Sequence, residues 1–401
     1  MKLVLLCSSL EPGRDGVGDY SLHLAKALRN LGHSVFVIAL NDQWLSGPSP
    51  TASYETIEGV AVERLGSILP WSDRIDRARE LLNGFQPDWV SLQFVCYGYH
   101  PRGILFGFSR HLRRLAPVCD NWQIIFHELW IGFNKGCSWK QRLNGALQRY
   151  SIKRCVQALK PRLIETSTPL FQSLLKTIGV RASVLPLPGA IPVNLDAGRE
   201  WFLQVLGEPA GPVPTEKRGE YLAGGFFGTL YPNWAPEPFF SSVRTVARKT
   251  ARKVIIFAAG RMGEYEESIW RRLPQAYPDF HFRNLGELPA ARISQYFQNL
   301  DFGISTTPWL VIGKSSAAAA MLDHGLPVMV VRNDYQPRKT LPIEPPADPL
   351  LILADHDVSE LFLAGLPRRA PLRSVEELAS KLTEKFRGDC ALVSETGESY
   401  G

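Results

Sequence analysis

Three stretches of the 401-residue sequence combine residue types and spacings that chemistry can use. The first is Gly16-Val17-Gly18, which follows the apolar run Lys2–Ser8 and opens the helical stripe Tyr20–Leu31. Glycines let a backbone approach a ligand closely, and the free amides of a helix start attract an anion. Position 21 is Ser, so the G-x-G-x-x-G dinucleotide fingerprint is not completed, and a tight strand-to-helix connection without a ligand is the competing reading. The second stretch runs from Gly313 to Val328. Ser315 or Ser316 can cap a helix that Gly325 ends, and Lys314 adds a full positive charge at its start, so a phosphate or diphosphate is the expected guest. Its four-alanine run is also what tight helix–sheet packing requires. The third is His127-Glu128, directly after the strand expected at Gln123–Phe126. A histidine there can orient a ligand or carry a proton, although a lone histidine is more often a hydrogen-bonded structural group.

The elements that must position these stretches alternate. Strands are expected at 2–8, 34–40, 89–94, 123–126, 163–166 and 183–187, with helices at 20–31, 74–85, 104–115, 141–159 and 170–177 between them and a hairpin at 54–65. Repeated strand–helix–strand units with short links give a parallel sheet covered on both faces. Pro186, Pro188 and Pro192, then the Pro- and Gly-rich run 209–214, interrupt the pattern. A second alternating set follows, with strands at 225–230, 253–258, 281–285, 301–305 and 328–331 and helices at 238–249, 265–273, 290–298, 315–324 and 375–386. The expected fold is therefore α/β, two doubly wound Rossmann-like parallel-sheet domains facing across a cleft. The domains are placed at 1–190 and 221–387, with a hinge at 191–220 and a polar tail at 388–401. Ligands of such folds bind outside the carboxyl ends of the strands.

Composition narrows the classes further. Six cysteines without a CxxC pair argue against a disulfide scaffold or a structural zinc site, and for a reducing compartment. No run approaches the ~18–20 apolar residues of a membrane span, and Leu3–Cys7 is too short for a signal h-region, so the chain reads as cytoplasmic. Residues 1–190 carry a surplus of eight positive charges and residues 191–401 a deficit of two. Much of the surplus lies between Lys140 and Arg162, where seven basic residues stand among Leu143, Leu147, Tyr150 and Ile152 with no acidic residue. Such a helix can lie on an anionic membrane surface at the inner face of a membrane; a solvated outer helix face is the plainer alternative. No recognition motif or stacking platform points to nucleic acid.

These loops, in this order, resemble the GT-B glycosyltransferases, and among them the retaining class called glycosyltransferase family 4. The resemblance rests on Gly16-Val17-Gly18-Asp19-Tyr20-Ser21 with its helix, on the strand ending in His127, on Phe226-Phe227-Gly228, on Ile256–Gly260 and above all on Met321–Val328. It implies a nucleotide diphosphate sugar bound mainly by the second domain, an unidentified acceptor bound mainly by the first, and hexose transfer with no metal or cofactor. On this basis His127 is the catalytic candidate. Gly16, Gly18, Gly228, Arg261, Lys314, Ser315 and Ser316 are candidates for the donor diphosphate, and Asp19, Tyr20 and Glu128 for the acceptor side. Two departures stand out. The positions of the family's paired donor-site glutamates hold Ile312 and Ala320, and no cation follows Gly228 in Gly228–Trp234, so Lys314 or Arg261 would have to supply the charge. A non-catalytic sugar-nucleotide-binding or scaffold protein is the alternative that these losses raise.

Overall fold

A computed structural model describes residues 1–45, 52–194, 219–231 and 234–396. The chain forms two compact units, Met1–Pro186 with Gln336–Ile343 and Val375–Gly401, and Leu187–Tyr335 with Glu344–Ser374.

The first unit runs β1 (Lys2–Cys7), α1 (Gly16–Asn30), β2 (Ser34–Asp42), β3 (Ala52–Ile57), β4 (Val60–Gly66), α2 (Trp71–Phe85), β5 (Trp89–Phe94), α3 (Phe108–Leu115), β6 (Trp122–Phe126), α4 (Trp139–Leu159), β7 (Leu163–Thr166), α5 (Pro169–Lys176) and β8 (Ser183–Val184). Its eight strands lie in the order β3-β4-β2-β1-β5-β6-β7-β8. Only the β3–β4 hairpin is antiparallel. Every residue of β5 and β6 is buried, as helices on both faces of a parallel sheet require. Helix α4 starts on a capping box, in which Ser138 and Gln141 satisfy each other's backbone amides, and stops where Lys160 turns left-handed. A Cβ on Gly145, in its second turn, would collide with the Ile131 carbonyl, so α4 packs backbone against the loop that follows His127.

The second unit runs β9 (Tyr221–Phe227), α6 (Phe239–Lys249), β10 (Lys253–Ala259), α7 (Glu264–Ala276), β11 (Phe280–Asn284), α8 (Ala290–Asn299), β12 (Phe302–Ser305), α9 (Ser316–Asp323), β13 (Val328–Val330), β14 (Leu351–Leu353) and α10 (Ser359–Ala364). Its six strands are all parallel, in the order β11-β10-β9-β12-β13-β14. Apolar layers cover both faces, one around Phe239, Phe240 and Phe302 and the other around Phe257, Tyr296 and Phe297. The aromatics reach the strand itself, because Gly224 and Gly225 leave room for the Phe302 ring and the Tyr296 hydroxyl.

The two doubly wound sheets are those the alternation implies, but the organisation differs at three points. The helix expected at 375–386 in the second domain is α11 (Ser374–Thr396), which belongs to the first unit almost from its start and runs through residues expected to be tail. Apolar and polar contacts hold it there: Phe386 stacks on Trp89 at 4.6 Å, and Thr383 Oγ1 meets His33 Nε2 at 3.0 Å. A strap, Gln336–Ile343, also joins the first unit through a bridge between Asn134 and Pro337. Residues 187–194, the end of the expected first domain and the described start of the expected hinge, belong to the second unit. There Gly189 N donates to Asp323 Oδ2 at 2.9 Å and Asn194 N to Ser294 Oγ at 2.9 Å. Hinge residues 195–218 and the last five residues of the expected tail lie outside the described part.

Candidate functional site

In the second unit the strand order reverses between β9 and β12, the point where open α/β sheets bind ligands. A cavity of about 270 Å³ lies there. Gly228, which follows β9 at φ +74°, lines it together with Lys314, Ser315 and Ser316 at the start of α9. These are four of the five second-domain candidates for diphosphate binding. Ser315 caps α9 by accepting from Ala318 N at 3.2 Å, and Lys314 ends the 3-10 turn that leads into it. Hydroxyl-bearing Thr229, Tyr231, Ser305, Thr306 and Thr307 also line the cavity, together with apolar Phe226, Phe227, Ile304 and Met321. Thr306 Oγ1 holds the loop after β9 by accepting from Tyr231 N at 2.9 Å. A helix start, a lysine and several hydroxyl-bearing residues offer a surface suited to an anion and a polyol.

Arg261, the fifth candidate, does not line this cavity. Its guanidinium grips Glu287 through two bonds of 2.9 and 3.0 Å at the exposed end of β10. Ile312 and Ala320, at the positions of the glutamates, are 2% and 0% exposed within the apolar layer around Phe297. Both are packed as core and neither lines the cavity, so these two positions contribute no polar group to it.

In the first unit the glycine turn is structured differently from the expectation of a free helix start. Asp15 caps α1, its Oδ1 accepting from Val17 N at 2.9 Å and Gly18 N at 3.1 Å, while both Asp19 oxygens accept from Gly13 N at 3.0 and 3.2 Å. The helix start therefore already carries its own carboxylates, which repel a diphosphate. Gly18 is glycine for packing, since a Cβ would collide with the Ser9 carbonyl, whereas Gly16 faces open space. Burial raises the Asp19 carboxyl above its usual range, and Glu128 sits half-buried beside His127 in sequence.

His127 is the buried end of a polar chain that crosses the sheet. Its Nε2 lies 3.0 Å from Gln93 Oε1, Gln93 Nε2 donates to Ser91 Oγ at 2.7 Å, and Ser91 Oγ donates to Gln123 Oε1 at 2.5 Å. Gln123 Nε2 then donates to Glu165 Oε2, and Lys385 of α11 donates to Glu165 Oε1. Gln93, Ser91, Gln123 and Glu165 are all at most 2% exposed. A carboxylate only accepts, so Glu165 orients every link: each amide donates towards it and accepts from the His127 side. The chain thus ends on an Nε2–H donor, leaving Nδ1 as the acceptor nitrogen. Burial lowers the His127 pKa to about 4, so the ring is neutral near pH 7. Tyr20 packs edge-on against it, with ring centroids 4.8 Å apart, and burial lifts the Tyr20 phenol well above its usual range. A neutral imidazole locked in one tautomer can accept a hydrogen bond from a sugar hydroxyl; it is a poor proton donor.

None of the four relay residues was singled out from sequence. Their signal was polarity at Ser91, Gln93, Gln123 and Glu165 inside strands otherwise apolar on both faces. Among the described residues no cluster of three or more His, Cys, Asp and Glu is arranged to hold a metal ion, and no helix is long and apolar enough to cross a membrane.

The family description "Glycosyl transferase 4-like domain" matches residues 15–188, which include α1, His127 and the whole relay up to Glu165. Sucrose-phosphate synthase from Thermosynechococcus elongatus superposes on 99% of this chain and 99% of its own, with TM-score 0.58 and 13% identity. The chain has the GT-B fold. Further GT-B neighbours are α,α-trehalose 6-phosphate synthase from Burkholderia multivorans (TM-score 0.52, 11% identity, 100% and 99% covered) and Anabaena HepE in complex with UDP and glucose (TM-score 0.51, 14% identity, 83% and 82% covered). At these identities the fold is what is shared. A comparison with curated proteins finds no match.

Proposed function

We propose that the protein is a glycosyltransferase moving a hexosyl group, with retention and without a metal, from a nucleotide diphosphate sugar to an acceptor hydroxyl. The observation that carries this reading is the cavity at the β9–β12 reversal, where Gly228, Lys314, Ser315 and Ser316 converge. In the reaction the bond between the anomeric carbon and the diphosphate oxygen breaks, and its electron pair leaves with the diphosphate. A bond from the acceptor oxygen forms in its place, and the hydroxyl proton is released. Negative charge grows on the departing diphosphate, where the start of α9 and Lys314 stabilise it. The hydroxyls of Thr229, Ser305, Thr306 and Thr307 take the sugar and ribose contacts that carboxylates would otherwise make. HepE, a neighbour in fold, was crystallised with UDP and glucose, which supports a nucleotide sugar as donor. His127, in the first unit, offers Nδ1 as an acceptor for a sugar hydroxyl.

The test is incubation of the full chain with UDP-, ADP- and GDP-sugars, following nucleotide release and the anomeric configuration of the sugar product. Release from at least one donor, retention in the product and loss of turnover in Lys314→Ala are expected. No release from any donor would overturn the reading.

A further inference from the structure

The first unit contains a second cavity, of about 610 Å³, to which the account above assigns no ligand. Its walls are the loop Trp130–Phe133 after His127, the first half of α4, the end of α5 and the strap around Arg338. The strap is fastened on both sides. Lys135 N donates to Gln336 O at 2.7 Å and Arg338 N to Phe133 O at 2.8 Å, and Ser173 Oγ donates to Pro342 O at 2.5 Å. The Gly145–Ile131 approach fixes α4 against the loop.

Two chemistries meet in this cavity. Arg142, Arg149, Arg338 and Lys339 line it, no Asp or Glu does, and none of the four has an ion-pair partner among the described residues. Several arginines elsewhere pair with carboxylates, among them Arg64 with Asp42, Arg244 with Asp279 and Arg332 with Asp334, whereas these four converge on one cavity without one. Four like charges around one cavity repel each other unless an anion joins them. The apolar part comes from Trp139, Leu143, Leu174 and Leu341, and Trp139 and Leu143 remain 68% and 55% exposed. A wet cluster of large apolar side chains beside unpaired cations marks an amphiphilic guest. A water-soluble phosphate has no use for the apolar wall, and a neutral lipid has none for the cations.

We propose that this cavity binds a phosphate ester carrying an apolar chain. Arg142, Arg149, Arg338 and Lys339 hold the phosphate, and the chain lies along Trp139, Leu143 and Leu341. Guanidinium forks match phosphate oxygens in pairs, which suits three arginines to this task. On the glycosyltransferase reading, on which this last role rests, the amphiphile also bears the acceptor hydroxyl.

The experiment titrates the full-length protein with monomeric dodecyl phosphate below its micelle concentration, read by tryptophan fluorescence and calorimetry. Inorganic phosphate, glucose 6-phosphate and dodecyl maltoside are the controls. One-to-one binding at least tenfold tighter than each control is expected. Arg142→Ala with Arg338→Ala, and separately Leu143→Ser, should each weaken it about tenfold; all three positions are exposed, and unchanged circular dichroism confirms the fold. Three results would overturn the proposal. They are no binding of dodecyl phosphate, binding of glucose 6-phosphate or dodecyl maltoside equally tight, and binding to phosphatidic acid vesicles without binding of the monomer. A protein that binds dodecyl phosphate but no nucleotide diphosphate keeps this site and loses the transferase reading. The reverse result loses the site and keeps the reading.

Discussion

The buried His127 makes stability depend on pH in a way that can be isolated. Its folded pKa is about 4 because burial penalises the charged ring, while an unfolded histidine titrates near 6.5. The unfolded chain therefore binds a proton that the folded one refuses. The contribution is fully present above pH 6.5 and is lost as pH falls towards 4. At 1.36 kcal/mol for each tenfold difference in proton affinity, the gap corresponds to about 3 kcal/mol. For a unit of this size the melting temperature should fall by roughly 6–12 °C across that window. Burial also lowers His33 and His324, so wild type alone would mix several titrations. The informative quantity is the difference between wild type and His127→Gln, which keeps a donor for Gln93 and lacks the titration. In denaturant unfolding of both proteins from pH 7.5 to 4, wild type should lose about 3 kcal/mol relative to the variant. Parallel curves through the window, or a His127 resonance titrating near 6.5, would refute the burial argument.

Other perturbations reach the same network and its neighbours. Gln93→Leu, at a position 0% exposed, leaves the buried His127 Nε2–H without its acceptor and Ser91 Oγ without its donor, and should cost about 2–3 kcal/mol in denaturant unfolding while leaving nucleotide affinity unchanged. Glu165→Gln removes the acceptor-only anchor, so imidazole nitrogen NMR should show a mixture of His127 tautomers where wild type shows Nε2–H alone. Gly145→Ala forces a methyl into the Ile131 carbonyl; about 1–3 kcal/mol of destabilisation is expected despite the better helix propensity of alanine, together with weaker dodecyl phosphate binding.

Local pattern carried most of the fold. Buried strands such as Val90–Phe94 and the Ser315 cap and Gly325 stop of α9 are written in residues close in sequence, and so is the convergence of Gly228 with Lys314–Ser316 once both are placed at strand ends. Contacts between distant residues were not legible. Nothing near residue 385 says that Lys385 pairs with Glu165, or that α11 stacks Phe386 on Trp89 in the first unit. The Asp15 cap shows a different limit: glycines at a helix start permit an anion, but an aspartate one residue earlier satisfies the same amides. The relay was hidden because single polar residues in apolar strands read as noise until their side chains are joined. Arg261 shows the same limit, since its partner Glu287 belongs to the loop after the neighbouring strand.

The most direct test of the central claim is calorimetric titration of the full-length protein with UDP, ADP and GDP, comparing wild type, Lys314→Ala and His127→Gln. At least one nucleotide diphosphate should bind one-to-one, about tenfold weaker in Lys314→Ala and with unchanged affinity in His127→Gln. Binding that ignores Lys314→Ala, or no binding of any of the three, would contradict the assignment of the β9–β12 cavity as the donor site.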